Sequence, residues 1–462
     1  MSSRPRLADH ALLRRHVTDG QLRYVVHHAG TGALVMLDER AYAIAMLADG
    51  TRDVDGIALA ASRAGVYERA SEIDAVLAAL AGADLIAHGV EPGPMPARAA
   101  TYFMTPADEA SRATPLQALP GFRFRCDGGG HCCEQYASIA LTRDDEARAR
   151  RAGLKTLPGD ERAEQVLLPL YGGVRRERLA MTLVDGACLQ LEAERGCSLH
   201  RAGGPAAKPT ACRLYPATFA DVGGVVRVST ALECGCVFES AARGDDGEPL
   251  LEPSLRVAGD LPGGLTVRTI PDQVPIGAGA TAARAAVVAW TDAVLAQPDE
   301  GCVVGRACGL AVALEAGGPT VRAAAPAALS TAEVAAELAE PLARLSDLTR
   351  RARDSADAWR SERDRTRQLR RAVAAAAHAT SSRGAEASLQ PAAPALAQAE
   401  RFALRAALFG MHLVEASERA DGLAASLRDF GARLLVAREL ALSGPRSLGH
   451  PIAVVMASLR GA

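Results

Sequence analysis

Apolar and polar positions near the start of the chain follow two periods in turn. Alternation over residues 22–27 and 33–37 predicts the two strands of a hairpin, with residues 29–32 as its turn. Helical spacing then takes over at residues 39–47 and 54–64, and Asp38 is the expected N-cap of the first of these helices. The pattern therefore predicts a hairpin followed directly by helices.

A third helix and a short strand complete this first segment. Ser71 is the expected helix cap, and the apolar residues of the helix recur on one face (Ile73, Val76, Leu77 and Leu80). Leu85-Ile86 begins the strand. Together with the hairpin, these elements predict a winged-helix-like module over residues 20–88, preceded by an N-terminal extension at residues 1–19.

Pro and Gly mark the later boundaries. Residues 89–100 form a predicted linker, residues 101–245 contain most of the cysteines, and residues 246–278 form a breaker-rich connector. The remainder, 279–462, is predicted to be a helical domain with helices at 280–297, 331–378 and 394–440. The fold class is therefore α+β, multidomain and mostly helical. Its parts are a winged-helix-like module, a loop-rich cysteine-cluster metal domain and a helical C-terminal domain.

Composition and charge narrow the possible partners. The chain has 462 residues, of which 49% are hydrophobic and 23% charged, as in soluble globular proteins. A net charge of −2 gives no basic excess for nucleic acid, and the third predicted helix carries Glu72 and Asp74 instead. No apolar stretch reaches the roughly 18 residues of a membrane span. The N-terminus is polar and Arg-rich, unlike a secretory signal. We therefore expect a cytoplasmic protein without nucleic-acid or membrane partners.

The cysteines are the residues that suggest a functional site. Disulfides are not expected in a reducing compartment, and eight of the ten cysteines fall within residues 126–236, which predicts a metal site. Thiolates favour an iron–sulfur cluster or zinc. One site with spare thiols, two sites, or one site plus redox thiols would each account for eight. The predicted ligands are Cys126, Cys132, Cys133, Cys188, Cys197, Cys212, Cys234 and Cys236.

The remaining cysteines and several neighbouring residues allow more than one interpretation. Cys302 and Cys308 lie in an apolar setting typical of buried thiols outside a site. His131 and His200 could be ligands, donors to a thiolate, or surface histidines. Arg213, which directly follows Cys212, could stabilise thiolate charge, bind an anionic group, or be a solvated loop charge.

These motifs resemble the YkgJ family of cysteine-cluster, zinc- or iron-chelating proteins. The first motif reads Phe124-Arg-Cys126-Asp-Gly-Gly-Gly130-His-Cys132-Cys133, and the second runs from Cys188 and Cys197 to Lys208-Pro209-Thr-Ala-Cys212-Arg213-Leu-Tyr215-Pro216. Gly129 stands where many members have a second cysteine, so the ligand number is not carried over. The resemblance implies an iron–sulfur cluster, with [4Fe–4S] favoured, or zinc.

Two further resemblances bear on activity. The passage from Glu400 to Phe409 is similar to the flagellin lysine-N-methylase (FliB-like) branch of the same family, which implies methyl transfer from S-adenosylmethionine to a protein lysine. Residues 35–86 resemble PqqD-like domains, which bind a peptide by adding it to the edge of their hairpin. No Gly-rich methyltransferase loop is visible in the sequence.

Two functions follow as expectations. The first is a metal-cluster protein whose N-terminal module captures a peptide or protein substrate, as an S-adenosylmethionine-dependent protein-lysine N-methyltransferase. The alternative is a non-catalytic zinc- or iron-binding adaptor or structural metalloprotein. The sequence identifies no catalytic residue for the first.

Overall fold

The computed structural model describes most of the chain. The described residues are 4–18, 20–28, 34–66, 70–91, 114–126, 128–135, 139–157, 166–169, 179–192, 194, 196–244, 247–250, 267–277, 279–298, 301–317, 326–355, 360–381, 389–390, 392–417, 421–443 and 450–459. Of these, 54% are helical, so the fold is α+β and mostly helical, as predicted.

Sixteen α-helices occur among the described residues. In chain order they are α1 (Glu39–Leu47), α2 (Val54–Arg63), α3 (Ala70–Gly82), α4 (His131–Gln135), α5 (Arg143–Arg151), α6 (Ser198–Gly203), α7 (Thr210–Leu214), α8 (Gly235–Arg243), α9 (Arg284–Leu295), α10 (Val303–Gly317), α11 (Thr331–Ser355), α12 (Arg360–Ser381), α13 (Pro394–Phe409), α14 (His412–Ser417), α15 (Leu423–Ser443) and α16 (Pro451–Ser458). A single 3₁₀ turn, Pro205–Ala207, lies between α6 and α7.

The described strands are mostly short. In chain order they are β1 (Pro5–Leu7), β2 (Ala11–Thr18), β3 (Gln21–His28), β4 (Leu34–Leu37), β5 (Ile86–His88), β6 (Leu116–Ala118), β7 (Arg123–Phe124), β8 (Ala140–Leu141), β9 (Leu167–Pro169), β10 (Leu179–Met181), β11 (Leu183–Val184), β12 (Ala187–Cys188), β13 (Ala217–Asp221), β14 (Val226–Thr230), β15 (Glu248–Pro249), β16 (Arg268–Thr269), β17 (Gln273–Gly277) and β18 (Ala280–Ala283).

The chain forms two compact units, and neither is a single continuous stretch. The first unit comprises Met1–Met104, Tyr136–Arg213 and Ala358–Ser361. The second unit comprises Thr105–Gln135, Leu214–Asp357 and Glu362–Ala462. The predicted cysteine-rich region, 101–245, is thus distributed over both units instead of forming one of them.

A five-stranded sheet organises the first unit, in the order β12-β11-β2-β3-β4. Its longest pairing is the antiparallel β2–β3 hairpin, in register from Ala11↔His28 to Thr18↔Gln21. Leu13, Tyr24 and Val26 face the core, where Leu80 and Leu85 pack against them. The hairpin that carries Cys188 (β11 and β12) therefore extends the same sheet as the N-terminal strands.

Most of the elements predicted for residues 20–88 are present. β3 and β4 pair antiparallel, although the predicted turn between them lies outside the described residues. Asp38 caps α1 by accepting a hydrogen bond from the Ala41 amide at 2.8 Å. Ser71 lies inside α3, not at its cap, because the helix begins at Ala70. The winged-helix-like arrangement of these elements stays a prediction.

Residues 4–18, assigned by sequence to an extension, form two strands. β1 pairs with β5, and β2 is the third strand of the five-stranded sheet. Arg15 and His16 in β2 are buried, and the buried Arg6 in β1 forms an ion pair with Asp9 at 2.8 Å. Charged residues on buried strands hide the alternation on which strand prediction depends.

The second unit combines a four-stranded sheet, in the order β16-β13-β14-β6, with the helices from α8 to α16. The helix α15 is the most buried of them and contacts α10, α11, α14 and α16. A buried ion pair fastens it to α13: Arg438 Nε donates to Glu400 Oε1 at 2.6 Å, and both side chains are less than 10% exposed. Glu400, in the passage similar to the lysine-methylase branch, thus forms part of the helical core.

The C-terminal helices differ from prediction in four places. The predicted helix at 280–297 begins as strand β18 and becomes α9 only at Arg284. The helix α10 was not predicted, because its Val, Ala and Gly residues give no polar face and hence no period. The predicted span 331–378 contains two helices, but Pro341, where a break was the alternative, lies inside α11. The predicted helix 394–440 is three helices, α13, α14 and α15. In the part of the chain that the structure describes, no helix is both long and apolar enough to cross a bilayer.

Candidate metal centre

The eight predicted ligands belong to different units. Cys188, Cys197 and Cys212 lie in the first unit, and Cys126, Cys132, Cys133, Cys234 and Cys236 lie in the second. All ten cysteines of the chain are described, and no disulfide joins any of them. The thiols therefore keep the chemistry that metal binding requires.

Glycines 128–130 lie directly before α4, which contains Cys132 and Cys133, and Cys126 lies between these glycines and β7. Gly128 takes the left-handed conformation, with φ of 73°, and its amide N–H donates to Cys126 Sγ at 3.4 Å. Gly130 also has a positive φ, and its carbonyl accepts from the Cys133 amide at 2.8 Å. An amide directed at sulfur stabilises the thiolate form, which is the ligand.

Two more cysteines lie at the start of α8. Cys234 is the N-cap residue and is buried, and Cys236 occupies the first turn and is half-buried. No side-chain cap hydrogen bond forms at this end of the helix, and the Val237 amide donates to the Cys234 carbonyl at 3.2 Å. A helix N-terminus favours negative charge, which is what a thiolate or a thiolate-bound cluster carries.

Ser240 connects α8 to the Cys126 segment. Its hydroxyl accepts a hydrogen bond from the Arg125 amide at 3.0 Å and lies 3.2 Å from the Arg125 carbonyl, to which it donates. Cys236 lies four residues earlier in α8, on the same helix face. The two bonds therefore fix the residue before Cys126 about one helical turn from Cys236.

Ring contacts made by Phe238 anchor α8 in the core. Phe238 is buried, stacks on His450 with ring centroids 4.3 Å apart, and meets the edge of Phe402. His450 directly precedes α16. It lies beside Gly235, the residue that separates Cys234 from Cys236 in the sequence. Burial lowers the pKa of His450 to about 4, so the ring is neutral near pH 7. Nothing local in the sequence connects His450 with α8, which lies more than two hundred positions earlier.

Cys188 and Cys197 of the first unit lie on a chain reversal held by Gln190. Cys188 ends β12, and Cys197 is the N-cap residue of α6. Gln190, which is buried, accepts from the Ser198 hydroxyl at 2.8 Å, and the Ser198 amide donates to the Gln190 carbonyl at 2.9 Å. These bonds fix the residues next to each cysteine.

Cys212 is carried by the short helix α7, which is fastened at its start by Asp145. Thr210 donates to Asp145 Oδ1 through its amide at 3.0 Å and through its hydroxyl at 2.7 Å. Thr142 forms a capping box with the same carboxylate, and Arg148 forms an ion pair with it. Burial alone would raise the pKa of Asp145, but the hydrogen bonds donated by Thr142 and Thr210 outweigh burial and lower it.

The sulfur positions bear on the kind of group that would fit. Four sulfur atoms bound to one zinc at about 2.3 Å lie roughly 3.8 Å from one another. Among the described residues of either unit, no three cysteine sulfurs lie within 4.8 Å of each other. The thiolates of a [4Fe–4S] cluster bind four different irons and lie further apart. Both the kind of metal group and the ligand assignment therefore stay predictions.

The other candidate residues have varied positions. His200 is exposed on α6, whereas the side chain of His131 lies outside the described residues. Arg213 is half-buried. Cys308 is fully buried, and burial, followed by the charge of Glu337, raises the pKa of its thiol to about 12. Cys302 is only half-buried and accepts from Arg438 Nη2 at 3.5 Å.

Sequence analysis missed a second group of possible metal ligands. One ligand atom each of His10, His28 and Asp84 lies within 4.8 Å of the other two. Burial of the ring and then His10 lower the pKa of His28, while Asp84 acts in the opposite direction. These residues are too far apart in sequence to form a motif, so only the fold reveals them.

No protein-family model, curated protein or solved structure matches this chain.

Replacing Ser240 by alanine should loosen the metal centre without altering a thiol. The change removes both hydrogen bonds to Arg125, each worth about 1 kcal/mol. We expect a lower apparent melting temperature and less metal per chain after anaerobic purification. Ser443→Ala, which removes a hydroxyl bond at the exposed end of α15, should leave the metal content unchanged. Equal metal content in Ser240→Ala and the wild type would contradict this role.

Asp145→Asn should destabilise the first unit in a pH-dependent way. The carboxylate accepts charge-assisted bonds worth about 1.5–3 kcal/mol, so the apparent melting temperature should fall by several degrees at pH 7. The folded-state pKa is lowered, so this stabilisation is complete above the unfolded pKa of about 3.9 and is lost as pH falls through the folded value.

Melting curves between pH 7 and pH 3 test this expectation, with Asp144→Asn, an exposed neighbour in α5, as the control. The gap between the wild type and Asp145→Asn should narrow below about pH 4. A gap of constant size across that range would show that the carboxylate charge is not what fastens α7.

Proposed function

We propose that this chain is an iron–sulfur protein whose cluster is held by thiols between Cys126 and Cys236. One observation carries the proposal: the two bonds from Ser240 to Arg125 hold the Cys126 turn alongside the helix that begins with Cys234 and Cys236. Cysteines that are only buried apolar residues would not need an amide directed at sulfur or polar anchors beside them. The resemblance to the YkgJ family favours the same group.

The chemistry of the donor set supports a thiolate-bound cluster. Thiolates prefer soft or borderline metals, and the backbone N–H groups of a glycine turn and a helix N-terminus offset the negative charge of a thiolate-ligated cluster. Cys126 is exposed and Cys234 is buried, so the second unit has thiols both at its surface and in its interior. When bound, the cluster would supply electron transfer or, at an iron with an open position, Lewis-acid binding of a substrate.

The N-terminal module supports a role in binding a peptide. β4 is an edge strand of the five-stranded sheet, and Met36 in the middle of that strand is 43% exposed. An edge strand presents backbone groups that an extended peptide can pair with. We therefore propose that the chain acts on a peptide or protein, and that lysine methylation from S-adenosylmethionine is the activity to test first. A non-catalytic metal-binding adaptor is the alternative.

Anaerobically purified protein should contain iron and acid-labile sulfide in nearly equal amounts and should absorb broadly in the visible range. Cys126→Ser and Cys236→Ser should each lose iron, because each removes a proposed ligand. Cys308→Ala is the matched control, since that thiol is fully buried in the helical core. Colourless protein with stoichiometric zinc and no sulfide would reject the cluster and leave the adaptor as the better account.

The enzymatic part of the proposal needs a separate assay. Cluster-loaded protein would be incubated with labelled S-adenosylmethionine and a set of lysine-containing peptides, with the matched arginine peptides as controls. Label transferred to lysine peptides alone would support the methyltransferase. Intact cluster with no transfer to any peptide would favour the adaptor.

A further inference from the structure

Three separate segments of the first unit meet at a group of potential metal ligands. His10 lies in the turn between β1 and β2, His28 is the last residue of β3, and Asp84 lies in the turn between α3 and β5. The imidazole centroids of His10 and His28 are 4.2 Å apart. None of the three is part of the cysteine motifs.

The distance between His28 and Asp84 suits two ligands of one metal ion. His28 Nε2 and Asp84 Oδ2 are 3.5 Å apart. Most N–H···O hydrogen bonds are shorter, at about 2.7–3.2 Å. Two ligands held tetrahedrally at about 2.1 Å from one zinc lie roughly 3.4 Å from each other. The two side chains are therefore spaced as ligands of a common ion.

One ring nitrogen of His10 is engaged by a backbone carbonyl, as in many metal-bound histidines. Its Nε2 lies 2.7 Å from the Asp84 carbonyl oxygen, to which the N–H donates. With the proton on Nε2, the lone pair for a metal is on Nδ1. A ligand histidine usually donates its other ring N–H to a carbonyl or carboxylate, which fixes the tautomer and the ring plane.

The backbone holds Asp84 in place before any ion binds. Asp84 has φ of 56°, a left-handed conformation that Asp and Asn adopt more readily than most residues. Its amide donates to Ala81 at 3.0 Å, and the next residue, Leu85, accepts from the Ala8 amide at 2.9 Å. The carboxylate is exposed, whereas His28 is buried. The group of three ligands therefore has a buried side, at His28, and a side open to solvent, at Asp84.

We propose that His10, His28 and Asp84 form a binding site for a divalent transition metal, with Zn²⁺ the best fit, independent of the cysteines. Two imidazoles and a carboxylate are ligands that zinc accepts, and three protein ligands leave a fourth position for water or a substrate group. Bound metal would fasten the β1–β2 turn to the end of β3 and to the α3–β5 turn. It would stabilise the sheet whose edge strand is β4.

The test compares variants of the full chain for zinc binding. Protein as purified would be titrated with Zn²⁺ against a competing chelator, and zinc per chain would be counted after desalting. Asp84→Asn keeps the side-chain shape and tolerates the left-handed backbone, so it should fold. We expect Asp84→Asn and His10→Gln to bind one zinc fewer per chain, or to bind it at least about tenfold more weakly.

Asp74→Asn and His88→Gln make the same chemical changes at exposed positions of the same unit and should bind zinc as the wild type does. Zinc should also raise the apparent melting temperature of the wild type and both controls more than that of Asp84→Asn. Unchanged zinc binding in a folded Asp84→Asn would overturn the proposal. Because only the difference between variants is counted, the result does not depend on what the cysteines bind.

Discussion

The pair of hydrogen bonds between Ser240 and the Arg125 backbone is the interaction on which the candidate metal centre depends. A loop that carries thiols has little apolar surface of its own, so it must be fixed by polar bonds to an element that the core already holds. The helix α8 is such an element, because its own residues Val237 and Phe238 are buried in the core. The helical core therefore holds α8 in place, and Ser240 of α8 in turn holds the residue before Cys126.

The first unit solves the same problem with different residues. Gln190 and Asp145 are buried polar side chains, and each accepts hydrogen bonds from a residue within two positions of a cysteine. Burying a polar acceptor costs free energy unless hydrogen bonds replace those it made to water. Each loop is therefore held in the one position in which it donates these bonds. In both units, then, cysteines in short helices and turns are positioned by satisfied polar anchors, while the apolar cores lie behind them. A metal that needs several thiolates would bind to loops already ordered in this way.

The sequence predicted the elements with a clear period and missed those without one. α1 and its Asp38 cap follow directly from local chemistry, whereas β2 was missed because Arg14, Arg15 and His16 interrupt its apolar alternation. The eight cysteines were recognisable as a set, but nothing local assigns them to two units. Ser240, His450 and the His10–His28–Asp84 group depend on long-range contacts, which a single sequence does not reveal.

The central claim is that thiolates of this chain bind an iron–sulfur cluster, and X-ray absorption at the iron and zinc edges of anaerobically purified protein tests it most directly. The account predicts iron surrounded by sulfur, with a second shell of neighbouring iron atoms that only a cluster provides. Iron with nitrogen and oxygen ligands alone would contradict it. Zinc surrounded by four sulfur atoms, with no iron present, would contradict it equally and would assign the cysteines to a structural site.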